Sequence, residues 1–195
     1  MKTLLFASAL ALALVTAAAA EPVPNRPDVQ DLSSVRADGA RVLKLSILIK
    51  TPRQKAWEAF ATTDGLVSWE APVAAIDLRV GGYLEASYDP KGKLGDPNNI
   101  KHEIVAFTPG RRIEFHNVQA PHGFPYQPEF GKVRHILTFE DAGRGRTRVT
   151  LTDVAYPHDK ADDWLYGFFH SGNAYVLELL KSHLEGTPPP TGPAH

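Results

Sequence analysis

From Arg41 onward, Leu43, Leu45, Ile47 and Ile49 occupy every second position and alternate with Val42, Lys44, Ser46, Leu48 and Lys50. A period of two puts one set on a buried face, which predicts a strand. Pro52 follows, and its fixed φ and missing N–H suit the first position of a helix, with Thr51 as cap and Trp57 and Phe60 as core anchors. A second short helical turn ends on Trp69. Gly81-Gly82 then breaks a strand pair, after which Leu84, Ala86 and Tyr88 share a face.

Further strands are predicted over 99–107 and 112–118, joined by Thr108-Pro109-Gly110, and over 133–140 and 147–154, joined around Gly143-Arg144-Gly145. From about Ala161 to Glu185, Leu165, Phe168, Phe169, Gly172, Val176, Leu179 and Leu180 recur at helical spacing, with Asp162 and Asp163 near the positive end. The pattern is α+β: two short helices after strand one, a curved antiparallel sheet of six or seven strands, and one long closing helix across its concave face. A strongly bent sheet does not pack flush along a whole helix, so a cavity between them is expected.

The flanks differ in composition. Residues 1–20 run from Lys2 through the apolar stretch Leu4–Val15 to Ala17-Ala18-Ala19-Ala20, the order of a secretory signal peptide, with cleavage expected after Ala20. Residues 21–40 are rich in Pro and Asp and read as a linker, partly docked; 186–195 read as a Pro-rich tail. The domain proper is 41–185. The expected location is therefore periplasmic or secreted, with no membrane span once the leader is removed.

The chain carries 21 Lys+Arg against 22 Asp+Glu, and losing the leader removes Lys2 and no acid. Such a balance recruits neither nucleic acid nor anionic lipid. Cysteine is absent, which excludes thiol catalysis and thiolate metal sites and leaves stability to packing.

Ile49-Lys50-Thr51-Pro52 with Ala56-Trp57, Thr63-Asp64-Gly65-Leu66 leading to Trp69, Asp77-Leu78-Arg79-Val80-Gly81-Gly82 and Phe107-Thr108-Pro109-Gly110-Arg111-Arg112-Ile113 together resemble the SRPBCC (START, or birch-pollen-allergen-like) superfamily. Within it, the chain is similar to proteins like the C-terminal domain of the heat-shock ATPase activator. The resemblance spans roughly 41–185 and implies a helix-grip fold with an apolar pocket. Two departures bear on that pocket: Asn173 stands where many relatives carry tryptophan, and 119–131 is long and Pro-rich.

Candidate chemistry centres on one hairpin. If Leu137 pairs with Leu151, His135 lies opposite Asp153 within hydrogen-bonding reach. A cavity histidine oriented by a carboxylate can anchor a polar group or act as a general base, and a core histidine with no chemical role fits the same pattern. On the anchor reading, His135→Phe weakens binding of a polar-headed ligand and leaves folding largely intact. Trp69, Tyr88, Phe168 and Tyr175 fall at element ends or on the crossing helix and are the aromatic pocket candidates. The eight histidines, among them His102, His116, His122 and His135, show no zinc-motif spacing and no HExxH, so they read as scattered surface residues.

No catalytic residue, metal or cofactor is assigned. The reading is an exported protein that holds a small apolar or amphipathic molecule, with Trp69, Tyr88, His135, Asp153, Phe168 and Tyr175 as ligand-binding residues. Two alternatives stay open. One is a cyclase or dehydratase using the His135/Asp153 pair on an aromatic or polyketide-like substrate; the other is an envelope interaction module using 119–131.

Overall fold

The computed structural model describes residues 26–192 apart from 158; the expected signal peptide lies outside the described residues. Nine strands form one antiparallel sheet: β1 (Val29–Asp31), β2 (Ser34–Val35), β3 (Arg41–Ile49), β4 (Val73–Ile76), β5 (Tyr83–Ser87), β6 (Ile100–Thr108), β7 (Arg112–Gln119), β8 (Arg134–Asp141) and β9 (Thr147–Tyr156). Their order is β1-β3-β9-β8-β7-β6-β5-β4, and β2 pairs with β3 beside β1. Helices α1 (Arg53–Ala61) and α2 (Thr63–Trp69) follow β3, a single turn α3 (Gln127–Phe130) lies between β7 and β8, and α4 (Lys160–Glu185) closes the fold.

Two strands more than expected come from the segment read as a linker. Val29 pairs with Ile47 and Ser34 with Val42, so the otherwise open edge of β3 is covered. Side chains tie the segment down as well. Arg26 is salt-bridged to Glu178 of α4, and His170 Nε2 of α4 lies 2.8 Å from Asp31 Oδ2. Such long-range pairs carry no local period, and the pattern of residues 26–35 therefore shows none.

The strand parity holds in detail. Leu43, Leu45, Ile47 and Ile49 are all essentially fully buried, as are Leu137, Phe139, Val149 and Leu151 of the β8–β9 hairpin facing the same core. Trp57 and Phe60 of α1 join them, with Trp57 edge-on to Phe139 at 5.6 Å. The helix start differs from expectation. Pro52 is itself the cap, with extended backbone, and Thr51 turns inward so that its carbonyl accepts from Thr147 Oγ1 at 2.7 Å.

Two glycines in the α1–β5 segment have steric reasons. A Cβ on Gly65 would sit 2.3 Å from Glu58 O and 2.7 Å from Ala59 O, because α2 starts tight against the end of α1. A Cβ on Gly82 would sit 2.1 Å from Asp77 O. Both obstacles are backbone and cannot swing away. Gly65→Ala is expected to destabilise the fold by about 1–3 kcal/mol, measured by urea unfolding; an unchanged midpoint would show that the α1–α2 corner opens freely.

How α4 sits decides where a ligand can go. Its backbone lies closest to β3, β9 and β1 and to α1, α2 and α3, and farther from β4, β5, β6 and β7, while Phe169 also reaches His135 of β8. The concave face of that second half is lined by Ala74 and Ile76, Leu84 and Ala86, His102 and Ile104, and Phe115, all on one side by register. Several of these side chains are small. The helix axis is therefore set toward the β3–β9 half of the bowl, and α2 packs on β4 at the other side.

Candidate functional site

The expected register is observed. Leu137 pairs with Leu151, which places His135 opposite Asp153, with His135 Nδ1 2.6 Å from Asp153 Oδ1. Both are buried. The pair is one part of a longer chain of polar groups crossing the concave face: His102 on β6, Asn117 on β7, His135 on β8 and Asp153 on β9. His102 Nδ1 and His135 Nε2 lie 2.8 Å and 3.1 Å from the same Asn117 Oδ1. The Asp153 Oδ2 atom accepts from Asn173 Nδ2 of α4 at 2.7 Å and from the Tyr156 hydroxyl at 3.3 Å.

Proton positions follow from one fixed amide. Asn117 Nδ2 donates to the Phe130 carbonyl at 2.9 Å, and a carbonyl can only accept, so Asn117 presents its oxygen to both histidines. Each facing nitrogen must therefore carry a hydrogen. His135 donates from Nε2, and a further proton sits in its short bond to Asp153, so the pair as a whole is neutral. A neutral pair with every lone pair and hydrogen engaged is the affordable way to bury such groups.

His102 donates from Nδ1 and keeps its Nε2 lone pair. Burial first, and the charge of His135 second, hold its imidazole down to about 3, so it is uncharged at any physiological pH. Burial, then the Asp153 charge and hydrogen bond, also pushes the Tyr156 phenol well above its ordinary value. Aromatic rings seal the chain. Phe115 stacks on His135 at 5.2 Å, Phe169 meets it edge-on at 4.9 Å, and His102 leans on Phe115 at 5.0 Å.

This network revises one expectation. The histidines are not all surface residues, because His102 and His135 lie on the concave face; His116 points the other way, 3.6 Å from Glu103 Oε2. Replacing His135 is expected to destabilise the fold, since it would remove the ring partner of the buried Asp153 Oδ1 atom.

The aromatic candidates separate. Trp69 and Tyr88 are partly buried against the core, Trp69 donating Nε1–H to Ala59 O at 2.9 Å and tilted on Phe60 at 5.5 Å. Tyr175 lies under the Arg26 guanidinium, 5.2 Å from the ring centre. Phe168 is 44% exposed and belongs to an outer cluster, stacked on Trp164 at 5.3 Å and edge-on to Phe124 of the 119–131 loop at 5.2 Å. That loop is thus folded onto α4. Beside it, a pocket of about 330 Å³ is lined by Pro97, Asn117, Gln119, His122, Gln127 and Phe130 among others.

Sequence reasoning missed Asn117, His102, Tyr156 and Glu70. Asn117 and His102 were within reach of the parity that located His135, given the β6–β7 register, but bulges beside Lys101 and Ile104 shift that register. Glu70 carried no signal. It caps the short helix α2 directly after Trp69, and its Oε2 atom is shielded from solvent with no hydrogen-bond partner. Burial pushes its carboxyl up to about 7.

A curved antiparallel sheet with a long C-terminal helix laid over part of its concave face defines a helix-grip protein, a class built to enclose a cavity. Residues 50–185 match the family model described as Activator of Hsp90 ATPase homolog 1-like protein, and the chain belongs to that family. Solved structures agree on the fold. The Aha1 dimer from Colwellia psychrerythraea is 18% identical with a TM-score of 0.57, covering 74% of this chain and 96% of that one. CalU16 from Micromonospora echinospora is 18% identical with a TM-score of 0.58, covering 83% and 87%. MLL2253 from Mesorhizobium loti is 19% identical with a TM-score of 0.58, covering 76% and 99%. Comparison with curated proteins finds no match.

Proposed function

We propose that this is an exported binding protein that holds a small apolar or amphipathic molecule between α4 and the β4–β7 half of the sheet. The observation that supports it is the lateral seat of α4, whose backbone lies closest to β3, β9 and β1 and farther from β4, β5, β6 and β7. The family fold, one that encloses a cavity, supports the same reading. Export rests on the order of residues 1–20, and no helix among the described residues is long and apolar enough to cross a membrane.

The polar chain from His102 to Asp153 gives the site its floor. His135 is the less favourable choice for a general base, because its Nε2 already donates to Asn117 Oδ1. The cyclase or dehydratase reading would need that bond broken and the proton removed. His102 Nε2 offers the ligand an acceptor for a hydroxyl or amide N–H.

Native mass spectrometry of the protein purified from its own host is expected to show a bound small molecule, lost on organic extraction. The extracted protein is expected to take up anilinonaphthalene sulfonate with a blue-shifted emission. A bare protein that also ignores the dye would sink the cargo reading.

A further inference from the structure

The near balance of acids and bases over the whole chain conceals an uneven distribution. Three connections meet at one end of the sheet: 50–52 leading into α1, the β6–β7 turn at 109–111 and the β8–β9 turn at 142–146. Register and contacts join them. Ile49 pairs with Thr147 and Arg112 with Thr138, Phe139 N donates to Arg111 O at 2.8 Å, and a Cβ on Gly110 would lie 3.9 Å from Gln54 Oε1 of α1. Lys50, Arg53, Lys55, Arg111, Arg144 and Arg146 sit on these connections and on the first turn of α1, all exposed or half-buried. Among the described residues none of the six forms an ion pair, although Arg112 and Arg134 on the adjoining strands share Glu114. Nearby acids are already engaged: Glu58 accepts from Gln54, Asp141 from Gly143 N, Glu140 lies opposite Arg148, and Glu185, which accepts from Lys50 N, is paired with Lys181. This end is net positive.

Two of these placements work against the fold. Arg144 has a φ of 55°, between Gly143 at 71° and Gly145 at 68°, in left-handed backbone that favours glycine or asparagine over a long side chain. Arg53 and Lys55 occupy the first turn of α1, the positive end of its dipole, where no acid stands. Bases retained where they weaken local structure point to a role outside the fold.

The spread of the bases selects the partner. Their connections run across β3, β9, β8, β7 and β6, about 20 Å at ordinary strand spacing, too wide for one phosphate to engage. They carry no aromatic residue on which a nucleic-acid base could stack, and the pocket described above lies at the opposite end of β7, around Asn117 and Gln119. We propose that this basic end is a peripheral docking face for an anionic phospholipid bilayer, held by charge. A plane of anionic head groups suits fixed, widely spaced guanidinium and ammonium groups, and the proposed export brings the chain to such a plane.

The test sediments the full mature chain with vesicles of phosphatidylcholine alone or with about 30% phosphatidylglycerol. Binding is expected to the anionic vesicles only, at low ionic strength, and to be lost at about 0.5 M salt, where charges are screened within a few ångströms. Combining Arg53→Gln, Arg111→Ser and Arg144→Gly is expected to lower the partition constant about hundredfold, from roughly fivefold per base, while the melting temperature stays equal or rises. Should the triple variant unfold, Arg111→Ser alone, on an exposed turn, still reads as about fivefold. Equal binding to both vesicles, binding to neither, or a variant that binds like wild type overturns the proposal. Mixed-sequence duplex DNA that binds more tightly than the anionic vesicles at the same ionic strength overturns the choice of lipid. Vesicle binding by a protein that carries no small molecule supports this docking face and counts against the cargo reading alone.

Discussion

Asp153→Ala is expected to cost about 3–5 kcal/mol of stability, the largest effect of any single side chain outside the apolar core. The carboxylate holds three buried donors, from His135, Asn173 and Tyr156, and alanine strands all of them in a space closed by Phe115 and Phe169. The charge on His135 would lose its partner at the same time. Urea unfolding monitored by tryptophan fluorescence reads the loss. Asp153→Asn is expected to fall between the two, because one amide oxygen can still accept while its NH2 faces other donors. A near-neutral Asp153→Ala would mean that water reaches these groups and that the chain of polar contacts is not a sealed element.

Stability is also expected to fall as pH rises through the range from about 4.5 to about 7, and Glu70 is the cause. Its folded-state value lies above its ordinary one, so the native protein binds more protons than the unfolded chain across that interval, and ∂ΔG/∂pH is negative there. The stabilising protonated form is fully present below 4.5 and lost by the time pH passes about 7, a difference on the order of 3 kcal/mol. Glu70→Gln removes the titration. The measured quantity is the pH slope of wild type minus that of the variant, which isolates Glu70 from groups such as Asp31, Glu85 and Glu185, whose values are lowered and whose contributions fall at more acidic pH. Parallel slopes for the two proteins would show that the Glu70 carboxyl is solvated.

These two sites differ in how far local pattern reaches. His135 and Asp153 sit on adjacent strands joined by a tight turn in which Gly143, Arg144 and Gly145 all take positive φ, and such a turn allows few registers. Two buried leucines, Leu137 and Leu151, then lock the remaining choice. The pairing was legible for that reason. Asn117 comes from a strand on the far side of a 14-residue connection and a bulged neighbour, and nothing local states which side-chain atom it turns to His135.

The alternation of apolar residues by itself determined which face of each strand is buried, the α+β class, and the positions of the two short helices and the long one. It could do so because side-chain direction in a strand or helix repeats with a period that any few residues reveal. Only the tertiary structure decided that 26–35 extend the sheet, that the α4 backbone lies nearest the β3–β9 half, and that one carboxylate oxygen of Glu70 is shielded with no donor. Those outcomes depend on where elements distant in the chain come to rest, and burial is a property of that arrangement rather than of any segment.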